Sequence, residues 1–125
     1  MRIIYTDEDK VSMDGAEYYQ PHFKPDFNLE YLRSINYINH LCVVKRTLFE
    51  TVGYLRPEYN GSQDYDFILR CVEKTNRIVH IPKVLYHWRI HPTSVNGELD
   101  FKSSAYEAGR QALLAHYKRM GIDVD

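Results

Sequence analysis

The chain has 125 residues, 44% hydrophobic and 26% charged, with 16 basic and 17 acidic side chains. That is enough for one core and too little for two ordinary domains. The proportions exclude a disordered chain, a collagen or a coiled coil, and the net charge of −1 argues against a nucleic-acid partner.

The first predicted element is a β-rich run from Arg2 to Thr6, built on Ile3, Ile4 and Tyr5 and expected to stop at Asp7-Glu8-Asp9-Lys10. This N-terminus lacks the apolar core followed by small residues of a secretory leader. Residues 14–28 hold Pro21 and Pro25 and read as irregular. Asn28 can cap a helix reaching about Asn39, with Leu29, Leu32, Ile35 and Tyr37 or Ile38 on its apolar side. Leu41–Lys45 reads as a strand, and Thr47 opens a short helix that Gly53 ends. A loop with Pro57, Asn60 and Gly61 leads to a helix from about Asp64 to Lys74, whose pairs Phe67/Cys71 and Ile68/Val72 lie four apart. Arg77–Ile81 and Val84–Ile90 read as two β runs divided by Pro82, the second ended by Pro92. A last helix is expected at about 100–120, with Ser104 and Glu107 as a capping box at its start and Gly121 after its end. Alternating strands and helices give an α/β class. No apolar run approaches the roughly 20 residues of a membrane helix.

Cys42 and Cys71 both sit in apolar settings and read as buried reduced thiols of a cytoplasmic protein. Eleven of the seventeen aromatic residues are Tyr. Most of these suit core edges, although an apolar face with a polar tip also suits a sugar.

Three motifs carry chemistry. In Tyr5-Thr6-Asp7-Glu8-Asp9 an apolar strand delivers two carboxylates that point to one side in extended chain. Such a pair can hold Mg²⁺ or Mn²⁺, beyond the carboxyl end of a strand where α/β sheets bind ligands; taken alone, it reads more simply as a solvated acidic turn. A calcium EF-hand is excluded, because position 6 counted from Asp7 is Ser12 and position 12 is Tyr18. In Gly61-Ser62-Gln63-Asp64-Tyr65-Asp66, Asp66 suits a helix cap, while Asp64 can cap or project as a base. In Tyr86-His87-Trp88-Arg89-Ile90-His91, the residues His87, Arg89 and His91 share one face of a strand. They suit a diphosphate, with one His free to complete a metal shell, or pair with local acids for stability. No glycine-rich nucleotide loop and no Gly-x-Ser-x-Gly elbow is present.

The order of these motifs is specific where each alone is weak. Together with Phe23-Lys-Pro-Asp-Phe-Asn28, Asn36-Tyr-Ile-Asn-His-Leu41 and His80-Ile-Pro-Lys-Val-Leu-Tyr, they resemble the family 2 glycosyltransferases of GT-A fold, nearest to bacterial enzymes that build O-antigen and rhamnan chains. The resemblance runs from about Ile3 to Gly121. It implies a partial GT-A fold, a small mixed sheet packed with helices. It implies that Asp7 and Asp9 bind a nucleotide-sugar diphosphate through Mn²⁺ or Mg²⁺, and that Asp64 is the general base of an inverting transfer. Gln63 and Asp66 would support that base. His87 and Arg89 would close over the diphosphate, and His91 would be a metal ligand.

In this family the Asp-x-Asp strand lies mid-domain, yet six residues precede Asp7 here. The expectation is therefore that residues 1–125 form the C-terminal portion of a single glycosyltransferase domain, with a nucleotide-binding half upstream in a longer polypeptide. Alone, the chain should bind donor poorly and turn over little. Ile3-Ile4-Tyr5 should be left on an open edge that invites self-association. The implied partners are a nucleotide-diphospho-sugar donor and a glycan or lipid-linked glycan acceptor. The implied location is the cytoplasm, with the inner face of the membrane a second option. Two other classes compete: a non-catalytic carbohydrate-binding module, and another metal-dependent phosphate-handling enzyme.

Overall fold

The computed structural model describes residues 2–91 and 103–124 in full and residues 95–102 as backbone. It is mixed α/β and divides into two units. The sheet unit comprises Met1–Lys45 and Arg77–Pro92; the helical unit comprises Arg46–Asn76 and Thr93–Asp125.

In the sheet unit, strand β1 (Ile3–Val11) is central. The strand β4 (Ile78–Arg89) runs parallel along its whole length. Strands β2 (Tyr18–His22) and β3 (Cys42–Val44) pair antiparallel with its C-terminal and N-terminal parts. Ile3 and Tyr5 are fully buried, and Ile3 pairs with Val44 on one side and Ile78 on the other. The expected open edge at Ile3–Tyr5 is thus corrected: both edges of this segment carry ladder bonds. Ile4, Val43 and Val79 occupy neighbouring ladder positions, and Val43 and Val79 are about half exposed.

Three further expectations change. The strand does not stop at Asp7, because its acids find cross-strand partners and stay in the ladder. Residues 14–28 are not wholly irregular. Asp14 accepts from the Ser12 hydroxyl and the Ala16 amide, Gly15 takes a positive φ of 78°, and the chain turns back into β2. Pro21 is tolerated there because β2 pairs with β1 alone and one edge needs no amide. Nor does Pro82 divide two strands. The ladder runs from Thr6↔Ile81 to Asp7↔Val84 and then to Glu8↔Tyr86, so Pro82, Lys83 and Leu85 bulge out and one strand continues.

Asn28 caps helix α1 as expected, its side chain accepting from the Tyr31 amide. The helix covers only Leu29–Ser34, ending where Ile35 turns extended. Tyr37 and Ile38 still reach the core beside Leu32, as irregular chain rather than helix.

The helical unit holds α2 (Arg46–Val52), a 3₁₀ turn (Pro57–Tyr59), α3 (Gln63–Val72) and α4 (Val95–Arg119). Gly53 follows α2 with φ 79°. Leu48, Val52, Phe67, Ile68, Leu69, Cys71 and Ala112 form its core. Each fully buried aliphatic or aromatic side chain contributes roughly 1.5–3 kcal/mol. The last helix begins at Val95 rather than near 100, so Ser104 lies inside it and makes no capping box. Glu107 instead accepts from Arg110 and Gln111. The Pro92 stop lies outside the described residues. Among the described residues, no helix is long and apolar enough to cross a membrane.

Candidate functional site

The acidic motif and the histidines of β4 meet in the sheet unit. The ladder sets His80 beside Tyr5 and His87 beside Asp9. The His87 Nδ1 hydrogen-bonds the Asp9 Oδ1, and the Tyr18 ring lies 4.6 Å from the imidazole. Asp9 is largely covered and His87 is about half exposed.

Asp7 is held differently. Its Oδ1 accepts from the Lys24 backbone amide at 3.0 Å and from His80 Nε2 at 2.8 Å. The other ring nitrogen of His80 lies 2.9 Å from Asp26 Oδ1. The ring stacks on Tyr5 with centroids 4.8 Å apart, and the Tyr5 hydroxyl donates to the Pro25 carbonyl at 2.6 Å. Burial opposes charge on His80, but hydrogen bonds to Asp7 and Asp26 outweigh it and raise its pKa above the ordinary histidine value. Burial and the neighbouring Tyr37 push the Tyr5 phenol up.

Between these acids, Glu8 forms a third cluster. The buried Lys24 ammonium sits 3.1 Å from Glu8 Oε1 and donates to the carbonyls of Ile38 and His40. Burial pulls its pKa down while Glu8 resists the shift. The His40 amide donates to Glu8, and its ring stacks on Tyr86 at 4.8 Å, with Trp88 at 6.3 Å.

Arg89 sits beside Val11 in the ladder, but its guanidinium donates to the Met13 carbonyl at 2.6 Å and more loosely to Ser12. His91 is exposed beyond the end of β4, so it does not share a strand face with His87 and Arg89. Among the described residues, no group of three His, Cys, Asp or Glu side chains could hold a metal ion. Two carboxylates suit Mn²⁺ or Mg²⁺ by chemistry. As placed, however, Asp7, Asp9 and His91 do not fit that ion as a ligand set, because each acid is taken by its own histidine.

The loop motif lies in the helical unit. Asp64, half-buried in the first turn of α3, accepts from the Tyr65 amide; Gln63 accepts from the Gly61 amide. Asp66 is corrected from a cap to a core residue. It is fully buried, and its Oδ2 takes two contacts from Arg70, at 2.9 and 3.0 Å.

The sequence motifs assign no individual role to His80, Asp26, Lys24, His40 or His116. His80 hid because it lies seven residues from His87, an odd spacing that a regular strand would send to opposite faces. His116 is fully buried and pairs with Glu73 at 2.7 Å.

No family model matches the chain. It is 48% identical over 120 residues to an uncharacterised protein, y4gI, of Sinorhizobium fredii, covering 94% of this chain and 13% of that protein. It is 37% identical over 121 residues to the O-antigen biosynthesis protein RfbC of Myxococcus xanthus, covering 97% of this chain and 9% of that protein. The chain therefore spans a small part of the length of the relatives it matches.

Proposed function

We propose that the chain takes part in assembling a surface polysaccharide, as the acceptor-side portion of a family 2 glycosyltransferase within a longer polypeptide. The observation that carries this reading is the Asp9–His87 pair. It joins the acidic motif to the His-Trp-Arg motif across 78 residues of sequence, on adjacent parallel strands. Similarity to an O-antigen biosynthesis protein over nearly the whole chain supports the same class.

In this reading a nucleotide-diphospho-sugar is the donor, and a glycan or lipid-linked glycan supplies the acceptor hydroxyl. The reaction would take place in the cytoplasm, at the inner face of the membrane where a lipid-linked acceptor would lie. The Asp9–His87 pair and Arg89 meet the donor diphosphate, with nitrogen donors to offset its charge. Asp64 accepts the proton of the acceptor hydroxyl as that oxygen bonds the anomeric carbon. The bond from that carbon to the diphosphate breaks, and the nucleoside diphosphate leaves with the electron pair. Gln63 supports the Asp64 loop by holding the Gly61 amide. Asp66 acts indirectly, by anchoring α3.

The test uses the full-length protein, uridine-, guanosine- and thymidine-diphosphate sugars, and extracted lipid-linked glycan. Asp64→Asn should abolish transfer and spare donor binding, while Asp9→Asn should weaken donor binding. Full transfer by both variants would refute the reading.

One observation favours a second reading. His40, Tyr86 and the half-exposed Trp88 form an aromatic group on the sheet, of the kind on which a sugar ring stacks. Glycan binding without any donor turnover would favour a carbohydrate-binding module.

A further inference from the structure

The residue least expected from sequence bridges two carboxylates in the sheet unit. The His80 side chain is 5% exposed and lies between Asp7, 4% exposed, and Asp26, 94% exposed. Both ring nitrogens face a carboxylate oxygen, so with both acids ionised each nitrogen donates a proton. The same patch holds two more ties to the segment before α1: the Lys24 amide on Asp7, and the Tyr5 hydroxyl on the Pro25 carbonyl. Tyr5 also stacks on the imidazole, which fixes the plane of the ring.

We propose that His80 is a positioning residue for the donor site: it locks Asp7 in place and staples the Lys24–Asp26 segment to β1, leaving Asp9 as the strand acid that meets substrate. This rests on the glycosyltransferase reading above.

The division of labour follows from the contacts. Asp7 has the His80 ring and a backbone donor on one oxygen and little access to solvent. Asp9, two residues on, is 13% exposed and bonds His87, whose ring is about half exposed. Removing His80 leaves the buried Asp7 carboxylate with a single amide donor among the described contacts, a costly state that the chain relieves by moving the strand. That movement displaces Asp9 and His87 from the donor, and a shift of about 1 Å at a reacting centre costs on the order of 10²-fold in rate.

The experiment uses the full-length protein and measures steady-state kinetics with the nucleotide sugar that the wild-type protein turns over. His80→Ala should lower kcat/KM for the donor by about 10- to 100-fold while leaving the acceptor KM unchanged. His80→Gln, which can still donate to one carboxylate, should fall between His80→Ala and wild type. Asp26→Ala removes only an exposed partner and keeps the fold, so it guards against a His80 variant that fails to fold. It should lower donor kcat/KM severalfold, again without moving the acceptor KM. A donor kcat/KM within twofold of wild type in both Asp26→Ala and a folded His80→Ala would overturn the proposal. So would an effect confined to thermal stability. If the wild-type protein releases no nucleoside diphosphate and transfers no sugar, the glycosyltransferase reading itself falls and takes this role with it. The wild-type and variant arms therefore separate the two failures.

Discussion

Among the described residues of the helical unit, Arg70 is the most heavily used cation, and removing it or its partner gives a quantitative test. Its guanidinium contacts Asp66 Oδ2 through Nε and Nη2 and donates to the carbonyls of Val52, Gly53 and Tyr54 at 2.6, 3.2 and 2.6 Å. Those three carbonyls lie at the C-terminus of α2, where helical acceptors lack partners and a cation is favourable. Asp66 is fully buried and Arg70 is 4% exposed, so deleting either one strands a charge. Asp66→Ala should cost about 3–5 kcal/mol, the usual penalty for breaking a buried pair from one side. Arg70→Met should cost more. It strands Asp66 in the same way and also releases three accepting carbonyls, worth about 1 kcal/mol each where water cannot replace the donor. Val52 is buried whereas Gly53 and Tyr54 are exposed, so the added cost should be about 1–3 kcal/mol. Urea unfolding followed by circular dichroism reads both numbers, with an unchanged m-value as the control. If Asp66→Ala costs less than about 1 kcal/mol, below the range for a buried pair, or if Arg70→Met costs no more than Asp66→Ala, the reasoning is wrong.

Other outcomes follow from single sites. Burial raises the Glu73 pKa, but the hydrogen bonds and charges of Arg119 and His116 outweigh it and leave the carboxyl below its ordinary value. A depressed acid contributes stability above its unfolded pKa and loses it as pH falls through the folded value. Glu73→Gln should therefore cost about 1.5–3 kcal/mol at neutral pH, and the gap from wild type should close below about pH 4; a gap independent of pH in thermal melts would count against it. Gly61 has φ 94°, and an added Cβ would lie 2.9 Å from the Ala105 Cβ. Gly61→Ala should thus lose about 1–3 kcal/mol, which the same urea assay would detect; no loss would show that the loop can give way. Burial pushes the Cys42 thiol up to about 12, so iodoacetamide at pH 8 should label it on the order of 10³-fold more slowly than free cysteine. Fast labelling of the folded chain at Cys42 would contradict that placement.

Much of the fold could be read from the sequence because its signals are local. Asn28, Gly53 and Gly121 mark helix ends by backbone chemistry, and each does so in the structure. The errors share a different origin. Asp7 and Asp9 stay in a strand because partners lie on β4, some 70 residues away, and local propensity carries no trace of that. Pro82 fails to break β4 because a bulge takes it out of the ladder. Asp66 is the exception, since its signal was available: an acid four residues before Arg70 on one helix face predicts an ion pair. Burial turned that surface-type pair into a core one. Of the candidate site, the sequence left His87 either to meet a diphosphate or to pair with an acid for stability, and in the structure its ring pairs with Asp9. The bridging role of His80 was not legible, because it needs three segments to be known together.

The bulges in β4 have a further consequence. The twelve residues of β4 run against the nine of β1, like two rulers of unequal division. His80 and His87 are seven steps apart on one and reach positions four steps apart on the other. Parity is thus set by how many residues stand out of the ladder rather than by their identity. Pro82, Lys83 and Leu85 should tolerate many substitutions, whereas losing one of them would send His87 to the opposite face and leave Asp9 without its partner. Chain length at this point therefore decides whether Asp9 and His87 meet, although none of the three residues touches either one.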